Sequence, residues 1–506
     1  MSVVVEPGDV ERFRSIVGRS LGLQFEDARA ASLADVLRTR VEASGQDCRR
    51  YLHRLEAESP RHELGALAEQ LTVSETYFFR NVDQFHALSE VVLPERMRAR
   101  ASGKRLRILS AGCASGEEAY SMAILVREAV LDPSWEISVL GVDVNPAVLR
   151  KALRARYSSW ALRETPPESR REWFRPEGRD IVLVEDACRA VRFEERNLAE
   201  EDPNLWRPES YDVIFCRNVI MYFTPASARA LIERVTRALT PGGYLFLGHA
   251  ETLRGLSSDF HLRHTHGTFY YQRKERLEER TDRSPLRAAP AAAEPIMAVV
   301  DASDTWVEAI RRASERIQTL TDSSRRRVAA RIEPVPPGPR SDLGVVLDLL
   351  RKERFSEALD LVQAPPFDVL RDPDVLLMRA VLLTHGGRLG EAEEACRSVL
   401  AIDELNAGAH YVLAMCREGA GDRKGAVDHD QAAVYLDRAF AMPRLHLGLL
   451  ARKGGDHESA ARELGEAAAL LQREDPSRLL LFGGGFGRET LIALCRSELV
   501  TGGGRP

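Results

Sequence analysis

A strand, a glycine turn and a helix follow one another between Leu106 and Val126, and this stretch constrains the fold most strongly. Leu106–Leu109 is an apolar run short enough for a buried strand, whereas Glu117–Val126 has the spacing of a helix. Between them, Gly112 and Gly116 permit the tight turn that such a junction requires. Open α/β sheets begin their nucleotide sites with this order of elements.

Apolar strands alternate with helical patterns from Leu106 to about Arg273. After the first strand, the predicted strands are EISVLGVD, YDVIFC, GYLFLG and TFYYQR. This alternation predicts an α/β fold with a doubly wound, mostly parallel, Rossmann-like sheet and ligands at the carboxyl ends of its strands. The stretch DIVLVEDACRAVRF has the pattern of two short strands, which predicts a small antiparallel flap at about residues 175–195.

The regions outside this sheet have different compositions. Residues 1–100 show helix patterns with almost no β-branched alternation, so they predict an N-terminal helical domain that precedes a sheet domain at residues 101–273. Residues 274–340 are rich in Arg, Ala, Pro and Ser, which predicts a linker with one helix around residues 306–328.

The last part of the chain repeats itself every 34 residues. This period and its small residues resemble the tetratricopeptide repeat, in which alanine and glycine let paired helices approach closely. Residues 341–500 thus predict an all-α domain of three repeats, with a degenerate repeat before them and a capping helix after them. The alternative is an alanine-rich bundle without register. The aligned residues are Ala380, Ala414 and Gly448; Gly387, Gly421 and Gly455; and Ala392, Ala426 and Ala460.

Composition excludes several classes of protein. At 506 residues the chain is too long for one core, since a domain takes about 150 residues. A net charge of −5 gives no overall attraction to nucleic acid. Seven scattered cysteines without a Cys-x-x-Cys pair indicate reduced thiols. Because no apolar run reaches the roughly 18 residues of a membrane span, we expect a cytoplasmic protein without membrane insertion.

Asp143 ends the second predicted strand, where a carboxylate can accept hydrogen bonds from both hydroxyls of an adenosine ribose. The alternative is a helix cap before Pro146. The glycine turn lacks the full dinucleotide spacing, and Glu117 and Glu118 at the helix start repel phosphate. A cationic adenosine cofactor fits better, and S-adenosylmethionine (SAM), with its sulfonium and ammonium groups, is such a cofactor.

Four motifs in one order resemble a known family. SETYFFR at residues 74–80, GCASGEEAYS at 112–121, FCRNVIMYF at 215–223 and PGGYLFLGHAETL at 241–253 look like the CheR-type chemoreceptor glutamate methyltransferases. The resemblance covers about residues 10–273. It implies a SAM-dependent O-methyltransferase that forms glutamate methyl esters on the cytoplasmic domain of methyl-accepting chemotaxis receptors and releases S-adenosylhomocysteine. The repeats would then bind a further protein.

The resemblance also implies the site residues. Arg80 and Tyr222 are the expected catalytic residues, and Ser74 stands where the family often has Asn. By the same resemblance, Ser74, Thr76 and Arg80 reach over the cofactor, Glu118 binds its amino group, Asp143 binds its ribose, Asn197, Leu198, Arg217 and Asn218 line its two ends, and Tyr222 faces the methyl group.

Structural roles are the alternative for some of these residues. Arg80 could form a salt bridge to Asp83 or Glu75, Tyr222 could be a core aromatic residue, and Asn218 could be a turn former. The stretch HLRHTH and the nearby His249 suggest a metal site. The position of HLRHTH directly before a predicted strand and the lack of a cysteine near it argue against such a site.

Two other functions stay open. One is a scaffold that binds SAM without turnover and acts through its repeats, and the other is a methyltransferase for a small-molecule carboxylate. RNVIMY also resembles the Asn-Pro-Pro-Tyr motif of enzymes that methylate nucleic-acid bases, but both prolines are missing.

A glutamate side chain, with a pKa near 4.3, is already ionised at neutral pH, so its methylation needs no general base.

Overall fold

The computed structural model describes residues 5–58, 60–275, 345–346, 349–350, 354–363, 372–484 and 486–500. The chain divides into two compact units, Met1–Thr281 and Asp282–Pro506. The predicted linker helix at residues 306–328 lies outside the described residues. None of the described helices is long and apolar enough to cross a bilayer.

The first unit begins with helices that share an apolar core, as the sequence pattern predicts. Val10, Phe13 and Val17 recur at helical spacing along the first helix and are buried against Leu37 and Tyr51 of the next two. The helices are α1 (Pro7–Leu21), α2 (Ala30–Ser44), α3 (Cys48–Glu58), α4 (Arg61–Leu71), α5 (Val82–Ala87) and α6 (Leu93–Ala99), with one π-helical turn at Leu88–Val92.

A seven-stranded sheet follows, and it confirms the predicted fold class. Its order is β6-β2-β1-β7-β8-β10-β9; the first five strands are parallel, and β10 runs antiparallel to both of its neighbours. The five strands that the sequence predicts for the sheet are β1, β2, β7, β8 and β10, and β9 is an additional edge strand. The seven strands are β1 (Arg105–Ala111), β2 (Glu136–Asp143), β6 (Val191–Glu195), β7 (Tyr211–Cys216), β8 (Leu239–Leu247), β9 (Phe260–Thr265) and β10 (Thr268–Arg273).

The helices of this region connect the strands and pack on the sheet. They are α7 (Glu117–Ala129), α8 (Pro146–Arg154), α9 (Pro167–Trp173), α10 (Glu185–Arg189) and α11 (Pro225–Ala238). Because α7 follows β1 and α8 follows β2, their N-termini lie at the carboxyl ends of neighbouring parallel strands.

The antiparallel flap differs from the prediction. It has three strands, β3 (Arg156–Tyr157), β4 (Phe174–Glu177) and β5 (Asp180–Leu183). The prediction that Val191–Phe193 forms its second strand was wrong, because these residues belong to β6 and pair in parallel with β2. The reason is tertiary: the Phe193 ring packs over Gly141 of β2, where an added Cβ would lie 2.7 Å from it.

The glycine turn after β1 has the predicted left-handed backbone. Gly112 has a φ of 80° and Gly116 has a φ of 91°, a region that side chains other than glycine rarely adopt. A Cβ at Gly112 would also lie 2.5 Å from Cγ2 of Val219, in the loop after β7. The turn therefore needs glycine both for its conformation and for close approach of the neighbouring loop.

Gly112→Ala is expected to destabilise the first unit by two separable effects. Left-handed backbone strain is worth about 1 to 2 kcal/mol, and the overlap with Val219 adds roughly 1 to 3 kcal/mol. Gly178→Ala is the matched control, since its φ is 64° and a Cβ there meets nothing within 4 Å. In thermal unfolding, Gly112→Ala/Val219→Ala should recover only the overlap part. An equal midpoint for the single and double variants would contradict this division.

The described part of the second unit contains helix pairs whose starts repeat every 34 residues from Pro373 to His457, which confirms the predicted period. First helices begin at Pro373, Ala407 and Ala441, and second helices begin at Leu389, Arg423 and His457. The described helices are α12 (Phe355–Gln363), α13 (Pro373–His385), α14 (Leu389–Ile402), α15 (Ala407–Gly419), α16 (Arg423–Leu436), α17 (Ala441–Lys453), α18 (His457–Leu471), α19 (Pro476–Phe482) and α20 (Arg488–Val500).

Candidate functional site

A cleft opens where the carboxyl ends of β1, β2 and β7 face the N-terminal helices. It encloses about 850 Å³, including open solvent at its mouth. The loops of the sheet and the residues that follow α1 and α4 form its walls. The lining residues are Leu21, Leu23, Gln24, Phe25, Arg29, Leu71, Thr72, Val73, Ser74, Gly112, Ala114, Asp143, Val144, Val148, Asn197, Leu198, Asn218, Val219, Tyr222 and Phe223.

Six of the residues predicted for the site line this cleft: Ser74, Asp143, Asn197, Leu198, Asn218 and Tyr222. The other four are outside its lining, and they are Thr76, Arg80, Glu118 and Arg217. The sequence analysis missed the helical wall, which includes Gln24, Phe25 and Arg29. No local motif marks that wall, because its residues reach the cleft only when the helices pack against the sheet.

The Asp143 carboxylate accepts hydrogen bonds from two loops of the cleft, the loop after β1 and the loop after β2. One carboxylate oxygen accepts a hydrogen bond from the backbone N–H of Ala114 at 2.9 Å, and the other accepts from the N–H of Asn145, also at 2.9 Å. Burial raises the pKa of Asp143, against the effect of these N–H groups. The helix-cap alternative is wrong, since the side chain of Asn145 caps α8 by accepting from Ala147 and Val148.

Glu118 and Arg217 form a buried ion pair beside the glycine turn. Arg217 Nη1 lies 3.2 Å from Glu118 Oε2, and the Ser110 hydroxyl donates to Glu118 Oε1 at 2.7 Å. Burial raises the pKa of Glu118, and the Arg217 charge opposes that rise. Part of the negative charge at the start of α7 is therefore already balanced inside the protein.

Arg217 also holds the loop that carries Arg80. Its Nη2 donates to the carbonyl oxygen of Arg80 and to Oδ1 of Asn81, both at 2.6 Å. The Arg80 guanidinium is half-buried, donates to the carbonyl of Glu75 at 3.2 Å and lies 5.7 Å from the centre of the Tyr77 ring. Among the ion pairs of the described residues, none joins Arg80 to Asp83 or Glu75.

Glu251, whose role the sequence analysis missed, organises the loop after β7. Its carboxylate is 4% exposed and accepts hydrogen bonds from four backbone N–H groups. One oxygen accepts from Val219 at 2.8 Å and Met221 at 3.2 Å, and the other accepts from Asn218 at 2.6 Å and Gly248 at 2.7 Å. Asn218 has a φ of 57° there, so the turn-former interpretation is correct for its backbone.

The N-terminal helices close one side of the cleft through backbone contacts. The N–H of Gln24 donates to the carbonyl of Tyr222 at 2.7 Å, and Leu23 forms a β-bridge with Phe223. The Asn197 side chain donates to the carbonyl of Ser20 at 2.7 Å. Tyr222 packs on the helical core, as the core-aromatic alternative has it, and it also lines the cleft.

Two of the histidines for which the sequence analysis weighs a metal site contact other side chains instead. His266 Nε2 lies 3.0 Å from Glu90, and the ring of His264 stacks on Phe269 at 4.2 Å. Within the described part of the chain, no group of three or more His, Cys, Asp or Glu side chains is arranged to hold a metal ion.

Comparison with known proteins decides the family. Residues 74–269 match the family described as "CheR methyltransferase, SAM binding domain". Chemotaxis protein methyltransferase 2 of Vibrio cholerae is 34% identical over 280 residues, which cover 53% of this chain and 94% of that protein. The chain belongs to the CheR methyltransferase family. It is therefore a methyltransferase, and its cofactor is SAM.

Some relatives match both units of the chain. The probable biofilm formation methyltransferase WspC of Pseudomonas aeruginosa is 29% identical over 465 residues, which cover 91% of this chain and 98% of that protein. Chemotaxis protein methyltransferase Cher2 of Pseudomonas putida is 30% identical over 277 residues, 53% of this chain and 98% of its own length. The combination of a methyltransferase unit with a helical C-terminal unit is thus shared with a relative.

Proposed function

We propose that this CheR protein acts in the cytoplasm and methylates glutamate side chains on the cytoplasmic domains of chemotaxis receptors. One observation carries the reaction type: the described residues that line the cleft include no His, Cys or Lys, and the carboxylate among them, Asp143, already accepts hydrogen bonds from two backbone N–H groups. Acceptors such as alcohols or amines lose a proton on methylation and gain from a general base. A glutamate carboxylate is ionised at neutral pH and needs none.

The cleft residues fit SAM by their chemistry. Asp143 is the one carboxylate among the described residues of the lining, so we assign it to the ribose hydroxyls. Leu198, Asn197 and Asn218 are assigned to the adenine and methionine ends, where apolar contact and neutral hydrogen-bonding groups are needed. Arg217 lies outside the lining, and we assign it to the same site because it pairs with Glu118 and holds the carbonyl of Arg80.

Glu118 is assigned to the cofactor's ammonium group, which would share its carboxylate with Ser110 and Arg217. The loop at residues 74–80 covers the same side, and we assign Ser74 and Thr76 to contacts over the cofactor. These two side chains are exposed and half-buried respectively. Ser74 already lines the cleft, and a closing movement of this loop on the cofactor would bring Thr76 nearer to it.

When bound, SAM supplies a methyl group attached to a positively charged sulfur. The chain's own residues exclude water from the acceptor carboxylate and hold it in line with that methyl group, and such positioning supplies about 7 to 11 kcal/mol. We assign Arg80 to orienting the incoming carboxylate and Tyr222 to the methyl-transfer position. Arg80 can take this role, since its hydrogen bond to the carbonyl of Glu75 engages only Nη1 of the guanidinium.

A second candidate concerns the signalling pathway. The relative that matches 91% of this chain is named a probable biofilm formation methyltransferase. This match across both units favours a receptor that controls biofilm formation over one that controls swimming. In either case we propose that the repeats bind a protein and bring the enzyme to its site of action.

Incubation with methyl-labelled SAM and receptor cytoplasmic fragments is expected to give a protein-bound label that mild alkali releases as methanol. Methyl esters hydrolyse in alkali, whereas methylated amines do not. Arg80→Ala should lower the initial rate by about 100-fold, if it positions the carboxylate. The exposed Arg98 gives the matched control Arg98→Ala, which should keep the full rate. A label that resists alkali would contradict the carboxylate assignment.

The same assay separates the two alternatives. A scaffold that binds SAM without turnover gives no label, and Arg80→Ala then leaves signalling intact. For a small-molecule carboxylate methyltransferase, deletion of the chain after Lys274 should leave the reaction unchanged. For receptor methylation, the same deletion should change the rate or the choice of glutamate, because the repeats no longer contribute to docking.

A further inference from the structure

The short helix α19 departs from the packing of the regular repeats. In those repeats the second helix packs on the first helix of the next repeat, as α14 does on α15 and α16 does on α17. After the last repeat it is α20 that packs on α18. Although α19 starts within one residue of the position that the 34-residue period predicts, it contacts α13, the first helix of the first complete repeat.

The apolar end of α19 lies on the first helices of the repeats. The Phe482 ring centre is 5.9 Å from that of Tyr411 and 5.1 Å from that of Phe440. The Tyr411 hydroxyl donates to the carbonyl of Phe482 at 3.4 Å. Gly408 makes room for the ring, since a Cβ there would lie 3.0 Å from Phe482 Cζ. Leu481 and Phe482 are 1% and 6% exposed, and we call these two buried side chains the anchors of α19.

A charged residue of α19 pairs with an acidic residue beside these anchors. Arg478 Nη2 lies 2.8 Å from Asp437 Oδ2, and its Nη1 lies 3.3 Å from Oε1 of Glu474, which belongs to the same segment as Arg478. The Arg478 guanidinium carbon is 5.0 Å from the centre of the Phe440 ring. The side chains of Arg478 and Asp437 are each 11% exposed, so removal of one partner leaves the other charge with little access to solvent.

The segment fills its site only in part. Beside Leu481 and Phe482 a cavity of about 350 Å³, including open solvent, is lined by Val381, Thr384, His385, Tyr411, Val412 and Met415. We call this cavity together with the surface under α19 the first-helix groove. The sequence GGGFG follows α19 directly, and Gly484 has a φ of 65°. Glycines at this junction allow the segment to leave the groove without strain in the rest of the chain.

We propose that residues 474–484 are an internal ligand of the first-helix groove, which a segment of a partner protein with the same chemistry displaces. That partner segment carries an arginine, leucines and an aromatic anchor at the spacing of Arg478, Leu479 and Phe482. The proposal rests on the protein-binding role proposed above for the repeats, and it deepens that role by naming the surface and the partner's chemistry. A tethered segment competes at an effective concentration of the order of millimolar, so it weakens binding of a free peptide.

The test uses the full chain and a fluorescent peptide with the sequence of residues 474–485, EDPSRLLLFGGG, followed by anisotropy. Arg478→Asp in the chain places two carboxylates together at Asp437 and releases the segment. We expect this variant to bind the peptide at least tenfold more tightly than the unchanged chain. Arg462→Asp, at an exposed arginine of α18, is the matched control and should bind like the unchanged chain.

The double variant Asp437→Arg/Arg478→Asp restores the pair within the chain and repels the arginine of the free peptide. It should lose the gain of the single variant. Phe482→Ala in the chain is a second way to release the segment, and far-UV circular dichroism checks that each variant is folded. A peptide that carries Phe482→Ala should bind at least tenfold more weakly than the parent peptide.

Equal peptide binding by the Arg478→Asp chain and the unchanged chain would overturn the proposal, because α19 would then be a fixed part of the fold. Dimerisation of the Arg478→Asp chain without peptide binding would also overturn it, since the groove would then accept only a second copy. Peptide binding is measured without SAM or receptor. A failure here is therefore distinguishable from a failure of the methyl-transfer proposal.

Discussion

Asp143→Asn is expected to weaken SAM and S-adenosylhomocysteine binding by at least about 100-fold. The asparagine keeps one oxygen, but its NH₂ group then faces a backbone N–H of either Ala114 or Asn145, both of which the carboxylate now accepts at 2.9 Å. Charge-assisted hydrogen bonds contribute about 1.5 to 3 kcal/mol each. The loss of one such bond to the ribose, which we propose that Asp143 binds, together with the disturbed glycine turn, accounts for the expected size. Titration calorimetry with S-adenosylhomocysteine measures it.

Glu136→Gln is the matched control for this prediction. It lies at the other end of β2, is exposed and pairs with Arg105 at 2.6 Å. It removes one carboxylate from the same strand without touching the cleft, so binding should stay within twofold of the unchanged protein. Retained affinity in Asp143→Asn, with an unaltered thermal midpoint, would show that the ribose is held elsewhere.

Glu251→Gln is expected to lower the free energy of unfolding of the first unit by roughly 2 to 6 kcal/mol and to abolish most methyl transfer. The amide can keep one pair of backbone donors, either Val219 and Met221 or Asn218 and Gly248. The other pair then faces an NH₂ group, and each unsatisfied buried donor costs about 1 to 3 kcal/mol. Asn218 and Tyr222 lie on this loop, so the loss of its fixed shape also displaces cleft residues.

Two measurements separate the folding effect from the catalytic effect of Glu251. Thermal unfolding reports the loss of stability, and methyl transfer at saturating SAM, measured well below the unfolding midpoint, reports the loop. Glu172→Gln, at an exposed glutamate of α9, should change neither. If the Glu251 variant loses stability but keeps its rate at low temperature, the loop does not position the acceptor site.

The comparison of pattern and structure is clearest at the glycine turn and the flap. Gly112 and Gly116 are recognisable in the sequence because a left-handed backbone restricts the residue type locally. Val191–Phe193, by contrast, has a short apolar pattern that fits a strand of the flap as well as a strand of the large sheet. Its position in β6 depends on Phe193 packing over Gly141. These two residues are 52 positions apart in the sequence but are direct partners in the parallel pairing of β2 and β6.

The site shows the same division. Asp143 is predictable because it ends an apolar strand, and the ends of parallel strands meet at one edge of a sheet. Glu251 carries no local sign of its role, because its four donors come from Gly248 and from a loop about 30 residues earlier in the chain. Glu118 was expected to face a cationic ligand, and the structure adds an internal cation, Arg217, beside it.

The sequence by itself determined the elements whose signals are local: the order of strands and helices around the glycine turn, the carboxylate at the end of β2, and the 34-residue period of the repeats. Only the tertiary structure decided which distant residues meet. The N-terminal helices complete the cleft, Glu251 fixes the loop after β7, and α19 lies on the first helices of the repeats. Periodicity and backbone conformation depend on near neighbours in the chain, whereas packing and hydrogen bonding between loops depend on the folded arrangement.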